Sequence, residues 1–102
     1  EIHSVIGIRY DDIAQMQSII EKVEKLLADH EHIDHEEPCR VYFDLFNASS
    51  LDFVIWAFST VTEGAEFKKI KGKLLLDVAN IIAEHGAEIA YPTQTLHIQK
   101  PE

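Results

Sequence analysis

The sequence predicts an α+β domain of the ferredoxin-like class, ordered β-α-β-β-α-β, with an antiparallel sheet and two helices on one face. Three observations lead there. Two long stretches repeat apolar residues every three or four positions, as amphipathic helices do. Four shorter runs are rich in β-branched and aromatic residues. The middle two of those runs are joined by only "NASS", so they form an antiparallel hairpin.

The first run, "IHSVIGIRY" (2–10), carries Ile2, Val5, Ile6 and Ile8 and stops before Asp11-Asp12. Gly7 inside it marks a bulge or the close approach of another backbone. Asp11 or Asp12 then suits the N-cap of a helix over 13–29, where either charge favours the N-terminus. The apolar stripe of that helix is Ile13, Met16, Ile20, Val23 and Leu27, widened by Ile19 and Leu26. "HEHIDHEEP" (30–38) is a polar connector. "CRVYFDLF" (39–46) and "LDFVIWAFS" (51–59) are the hairpin strands. A second helix spans 60–86, with Thr60 and Glu63 spaced as a capping box and Thr62 as the alternative cap. Its stripe is Phe67, Ile70, Leu74, Val78, Ile81 and Ile82, and Gly86 is its C-terminal stop. Gly72 in its interior costs about 1 kcal/mol relative to alanine. "AEIAYPTQTLHI" (87–98) is the last strand, in two pieces divided by Pro92.

The chain has 102 residues, which is one domain, large enough for a core without staples. It begins at Glu1 rather than Met and is expected to be a fragment of a longer protein. A single cysteine, Cys39, excludes a disulfide framework and fits a reducing compartment. No signal peptide is evident, and no apolar run approaches the roughly 18 residues of a membrane span. The formal charge of −9 disfavours nucleic-acid binding and anionic membranes as partners.

Two helices cover one face of such a sheet, so the other face should read polar. It does not. The third strand has Leu51, Phe53, Ile55 and Ala57 on one parity and Val54, Trp56 and Phe58 on the other. The second has Val41, Phe43 and Leu45 against Tyr42 and Phe46, and Asp44 and Asp52 are the only charges between residues 41 and 58. Whichever parity meets the helices, large apolar side chains face outward, and a patch of that kind marks an interface. Local packing among these aromatics, or cover by the C-terminal segment, is the competing explanation.

Catalytic patterns are missing. Four glycines form no phosphate-binding loop. Ser49 and Ser50 sit in a turn with no His–acid partner evident. Cys39 reads as a buried or half-buried small apolar residue. No enzyme activity and no cofactor are expected. "DHEHIDHEE" (29–37) places His30, His32 and His35 among five carboxylates. These are metal-ligand types, but a connector without helix or strand signal would not hold them rigid, so a solvated acidic loop is expected instead. "KKIKGK" (68–73) reads as a solvated helix face. "NAS" (47–49) fits a glycosylation sequon without other signs of secretion.

"SVIGIRYDD", "FNASSLDF" and "EHGAEIAYPTQTLHI" together resemble the C-terminal α/β part of MscS-type, small-conductance mechanosensitive channels. That family typically shows a V-G-I-x-Y-D strand end, an S-S-L-x-F hairpin and an E-x-G-I-x-I-x-x-P-x-x-T-x-x-I ending. The likeness runs from about Ser4 to Ile98, with the last motif the most specific. Asn47-Ala48 departs from the Gly-Asp common there, and the 30–37 connector is unusually rich in histidine. The resemblance implies the cytoplasmic cage of a channel on the inner membrane, assembled from seven subunits. The expected partners are therefore copies of the chain itself and its own transmembrane and middle β domains. Assembly and ion or solute filtering during osmotic down-shock would be its task. Tyr42, Phe46, Val54, Trp56, Phe58, Tyr91 and Pro92 are then the expected interface residues, with Pro92 bending the chain away from its sheet. The alternative is a stand-alone ligand- or metal-binding module that dimerises through its open sheet face.

Overall fold

The computed structural model describes residues 1–90. Strand β1 (Ile2–Ile8) leads through a 3-10 helix (Tyr10–Gln15) into α1 (Met16–Ala28). Strands β2 (Arg40–Phe46) and β3 (Leu51–Ala57) form the hairpin, and α2 (Gly64–Glu84) follows. The sheet order is β1-β3-β2, antiparallel throughout. β1 and β2 therefore run parallel with β3 between them, which is the split βαβ arrangement the sequence predicts. The start of the predicted last strand is present as a bridge between Ile8 and Ile89 on the free edge of β1. The rest of that strand, including Tyr91 and Pro92, lies outside the described residues.

β3 sets the core. Leu51, Phe53, Ile55 and Ala57 share one side of it and are fully buried. Ile2 and Ile8 of β1 and Val41 of β2 join them from the flanking strands. Ile19, Ile20, Val23 and Leu27 of α1, and Leu74, Val78, Ile81 and Ile82 of α2, close the same side. Both helices thus cover one face and bury most of the stripe their periodicity defines, Met16, Ile19, Ile20, Val23 and Leu27 in α1 and Ile70, Leu74, Val78, Ile81 and Ile82 in α2. Gly86 ends α2 with φ +75, as the sequence requires. Its amide donates to Ala83 O (2.9 Å) and that of Ala87 to Ile82 O (3.1 Å), a Schellman closure that satisfies the last carbonyls.

Three local expectations are corrected. Neither Asp11 nor Asp12 caps a helix by its side chain. Asp12 has φ −100 and ψ 17, which interrupts the helical run and leaves Ile13 on the 3-10 turn, 53% exposed. The second helix starts at Gly64, not at 60, and no capping box forms. Thr60 is drawn instead to the connector, where its amide (2.9 Å) and hydroxyl (3.4 Å) both donate to His32 O. The connector itself is anchored rather than free. Ile33 is 2% exposed within the core, it bridges Ser59, and the Asp34 amide donates to Phe58 O at 2.7 Å. A lone isoleucine among charges gives no periodicity, yet it is enough to pin the loop.

The carboxylate of Asp12 does other work. Asp12 is 7% exposed, and its Oδ2 accepts from Arg9 Nε (2.9 Å) and from the Glu88 amide (2.9 Å). Its Oδ1 accepts from Arg9 Nη2 at 3.0 Å. The hydrogen bonds from Arg9 first, and then from the Glu88 amide, hold the carboxyl below its ordinary range. The folded protein therefore binds this proton less readily than the unfolded chain, where aspartate titrates near about 3.9. The contribution is complete above that value and is lost as pH falls through the lower folded value. Urea unfolding across pH checks this. The stability gap between the unsubstituted chain and Asp12→Asn should be widest at neutral pH and narrow on acidification below about pH 4.

Candidate functional site: the open face of the sheet

The face turned away from the helices is read row by row from the strand register. His3, Trp56 and Arg40 form one row, Val5, Val54 and Tyr42 the next, and Gly7, Asp52 and Leu45 the third. In the middle row Val54 is buried at 3% exposure, while its flanking partners Val5 (55%) and Tyr42 (44%) are open. A central-strand valine with a large neighbour on each side is shielded by them; the neighbours have no such cover. Trp56 and Phe58 are half-buried, with rings 5.7 Å apart edge to face. Trp56 Nε1 donates to Glu1 Oε2 at 2.6 Å. The helices of the domain therefore do not cover this aromatic pair completely.

Phe46 stands elsewhere. The β2 register shifts between Phe43 and Leu45, so a bulge at Asp44 reverses the parity of the strand end. Leu45 thereby joins the open face opposite Asp52, at 43% exposure. Phe46 pairs with core-facing Leu51 and packs edge to face on Phe43, with ring centroids 5.0 Å apart. It remains 64% exposed, but on the helix side of the edge strand. Period-two reading carried straight through the strand groups Phe46 with Tyr42; the extra residue undoes that.

The third row explains the hairpin. Asp52 is 7% exposed, and its carboxylate accepts from Ser50 Oγ (2.6 Å) and Asn47 Nδ2 (3.0 Å). The Asn47 amide donates to Ser50 O at 2.8 Å, and the Tyr10 hydroxyl donates to Asn47 O. Gly7 lies directly beneath this network. A Cβ there would sit 2.8 Å from Ser50 Cβ and 2.9 Å from Asp52 Oδ1. Close approach by hairpin side chains, rather than a bulge or another backbone, is the reason for that glycine. No sequence signal marks Asp52 as an organiser of the turn beyond its position two residues after a serine.

The histidines do not assemble. His30 Nδ1 accepts from the His32 amide (3.0 Å), and His35 Nε2 donates to Leu27 O (3.1 Å). The His30 and His32 rings are 5.9 Å apart and tilted, and His32 faces Glu31 at 3.5 Å. Among the described residues no group of three or more His, Cys, Asp or Glu side chains is arranged to hold a metal ion. Cys39 is exposed rather than buried or half-buried, because it lies at the end of the connector just before β2, and its thiol is pushed up by partial desolvation and by the charge of Glu24. An open cleft of about 880 Å³ lies between α1 and α2. Leu26, Ile70 and Ile81 line it together with lysines of both helices and carboxylates of α2 and the connector. Among the described residues no helix is long and apolar enough to cross a membrane.

Architecture and site together define a ferredoxin-like α+β domain with an incompletely covered apolar sheet face. The family model described as "Mechanosensitive ion channel MscS, C-terminal" matches residues 2–89, and the chain belongs to that family. It is 36% identical over 97 residues to the low conductance mechanosensitive channel YnaI of Escherichia coli (strain K12), covering 95% of this chain and 28% of that protein. An uncharacterized MscS family protein of Aquifex aeolicus (strain VF5) is 27% identical over 86 residues, 84% of this chain and 23% of the relative. The chain thus spans 28% and 23% of the length of these two relatives. The cryo-EM structure of Arabidopsis thaliana MSL1 matches with a TM-score of 0.77 at 20% identity, over 89% of this chain and 33% of that one. That likeness is one of fold.

The packing over Gly7 yields a test. Gly7→Ala should destabilise the domain by about 1–3 kcal/mol, because the nearest atom is the stiff Cβ of Ser50 rather than a flexible chain end. The shift of the urea midpoint at constant slope measures it.

Proposed function

We propose that this domain is part of a longer membrane protein and forms the wall of a cytoplasmic cage beneath the pore of a mechanosensitive channel. In this reading it acts on the cytoplasmic side of the inner membrane, by assembly and filtering rather than by catalysis. Copies of the chain, seven in the assembled channel, pack side by side and against their own middle β domains. The observation that carries the proposal is the open sheet face, where Val5, Tyr42 and Leu45 are exposed around half-buried Trp56 and Phe58. An apolar surface of that kind, in a chain of formal charge −9, is costly to leave in water and suits a protein partner. Tyr42, Trp56 and Phe58 then belong to the contact, with Val54 supporting them from the centre of its row, Phe46 lies at its edge, and Tyr91 and Pro92 are proposed to join it. Membership of the MscS family supports the channel context.

Assembly of the full-length channel tests the contact. Val5→Asp with Tyr42→Asp should shift the particle mass by light scattering from oligomer toward monomer. Leu76→Asp, at a 65% exposed position on α2, should leave it unchanged. Unchanged mass in the double variant overturns the role of the face. Filtering is tested separately. A ring of acidic domains enriches cations within a screening length of about 8 Å. Replacing exposed Glu31, Glu36 and Glu37 by glutamine should therefore move single-channel reversal potentials in a salt gradient toward greater anion passage. No movement sinks the filtering role and leaves assembly standing.

A further inference from the structure

The pairing at the end of β1 contains a substitution of one acceptor for another. The bonds Arg9 N–H to Glu88 O (3.1 Å) and Ala90 N–H to Gly7 O (2.9 Å) flank the Ile8–Ile89 bridge. In a regular antiparallel ladder the Glu88 amide would return a bond to the Arg9 carbonyl. That carbonyl is already taken by the Asp12 amide at 3.0 Å, the bond that turns the chain into the 3-10 helix. The Glu88 amide would be left without its strand partner, and Asp12 Oδ2 captures it at 2.9 Å across 76 residues of sequence. Arg9 holds that carboxylate with two nitrogens and also reaches Glu88 Oε1 at 3.7 Å.

We infer that Asp12 is a positioning residue whose carboxylate replaces a missing ladder acceptor and so fixes where the C-terminal segment is rooted on the edge of β1. The charged groups around it are Arg9, Asp11 and Glu88. Arg9 keeps the carboxylate ionised and aimed; the backbone of the 3-10 turn keeps Asp12 within reach. The root is thus held by a side chain of a different element, and its direction follows the turn rather than the sheet alone.

Amide hydrogen exchange on the 102-residue chain tests this. In Asp12→Ala the amides of Glu88 and Ala90 should exchange on the order of 10-fold faster, the scale expected for loss of a hydrogen bond to a charged group. The amides of Phe53 and Ile55 in the central strand should keep their rates. Asp12→Asn keeps an acceptor oxygen and should give a smaller acceleration confined to the same two amides; it carries the test if Asp12→Ala fails to fold. Unchanged exchange at Glu88 overturns the inference. So does an equal acceleration at Glu88, Ala90, Phe53 and Ile55, because Asp12 would then support the whole fold rather than the root.

Discussion

The two-sided burial of β3 is the constraint on which the rest of this domain depends. A central strand has neighbours on both edges, so its side chains are covered laterally even before a second layer is added. Its inner residues, Leu51 to Ala57 by twos, are fully buried. Each large one is worth about 1.5–3 kcal/mol relative to exposure. Reaching that burial requires two strands to enclose β3 and two helices to roof it. β1 and β2 run parallel, so the connection between them must cross over, and α1 is that crossing. The order of elements is in this sense a solution to covering one strand.

The same logic separates shielded from available apolar surface on the opposite side. Val54 sits in the middle of its row and is hidden by its neighbours; Val5 and Tyr42 sit at the flanks and are not. A hydrophobic residue on an open sheet face is therefore informative at the edges and uninformative at the centre. Trp56 and Phe58 lie between these cases, because their rings are long enough to rise past neighbouring side chains and meet each other. The face thus combines exposed Val5, Tyr42 and Leu45 with a half-buried aromatic pair and the polar His3, Arg40 and Asp52.

Much of this was legible in the sequence because it rests on periodicity. The stripes of α1 and α2, the hairpin, the stop at Gly86 and the unusual apolarity of the second sheet face all follow from patterns longer than a turn. What periodicity could not show were single-residue events. One extra residue at Asp44 moved Leu45 to the open face and Phe46 to the helix side of the sheet. One isoleucine, Ile33, turned an acidic connector into an anchored loop. Asp12 looked like a cap because its spacing to the apolar stripe was right, but an arginine three residues earlier and an amide far along the chain competed for it more effectively. These outcomes depend on partners distant in sequence, and a local reading does not include them. The family motifs were legible for the opposite reason: they are contiguous strings.

The bridge at Ile89 also fixes a hydrogen-bonding phase. Position 90 donates to Gly7, and in an antiparallel ladder the donors facing β1 recur at every second residue. The two bonds that flank the bridge fall on Arg9 and Gly7, on either side of Ile8, while Ile8 itself pairs with Leu51 on the opposite edge. The end of β1 thus serves two neighbours by turning alternate residues to each of them.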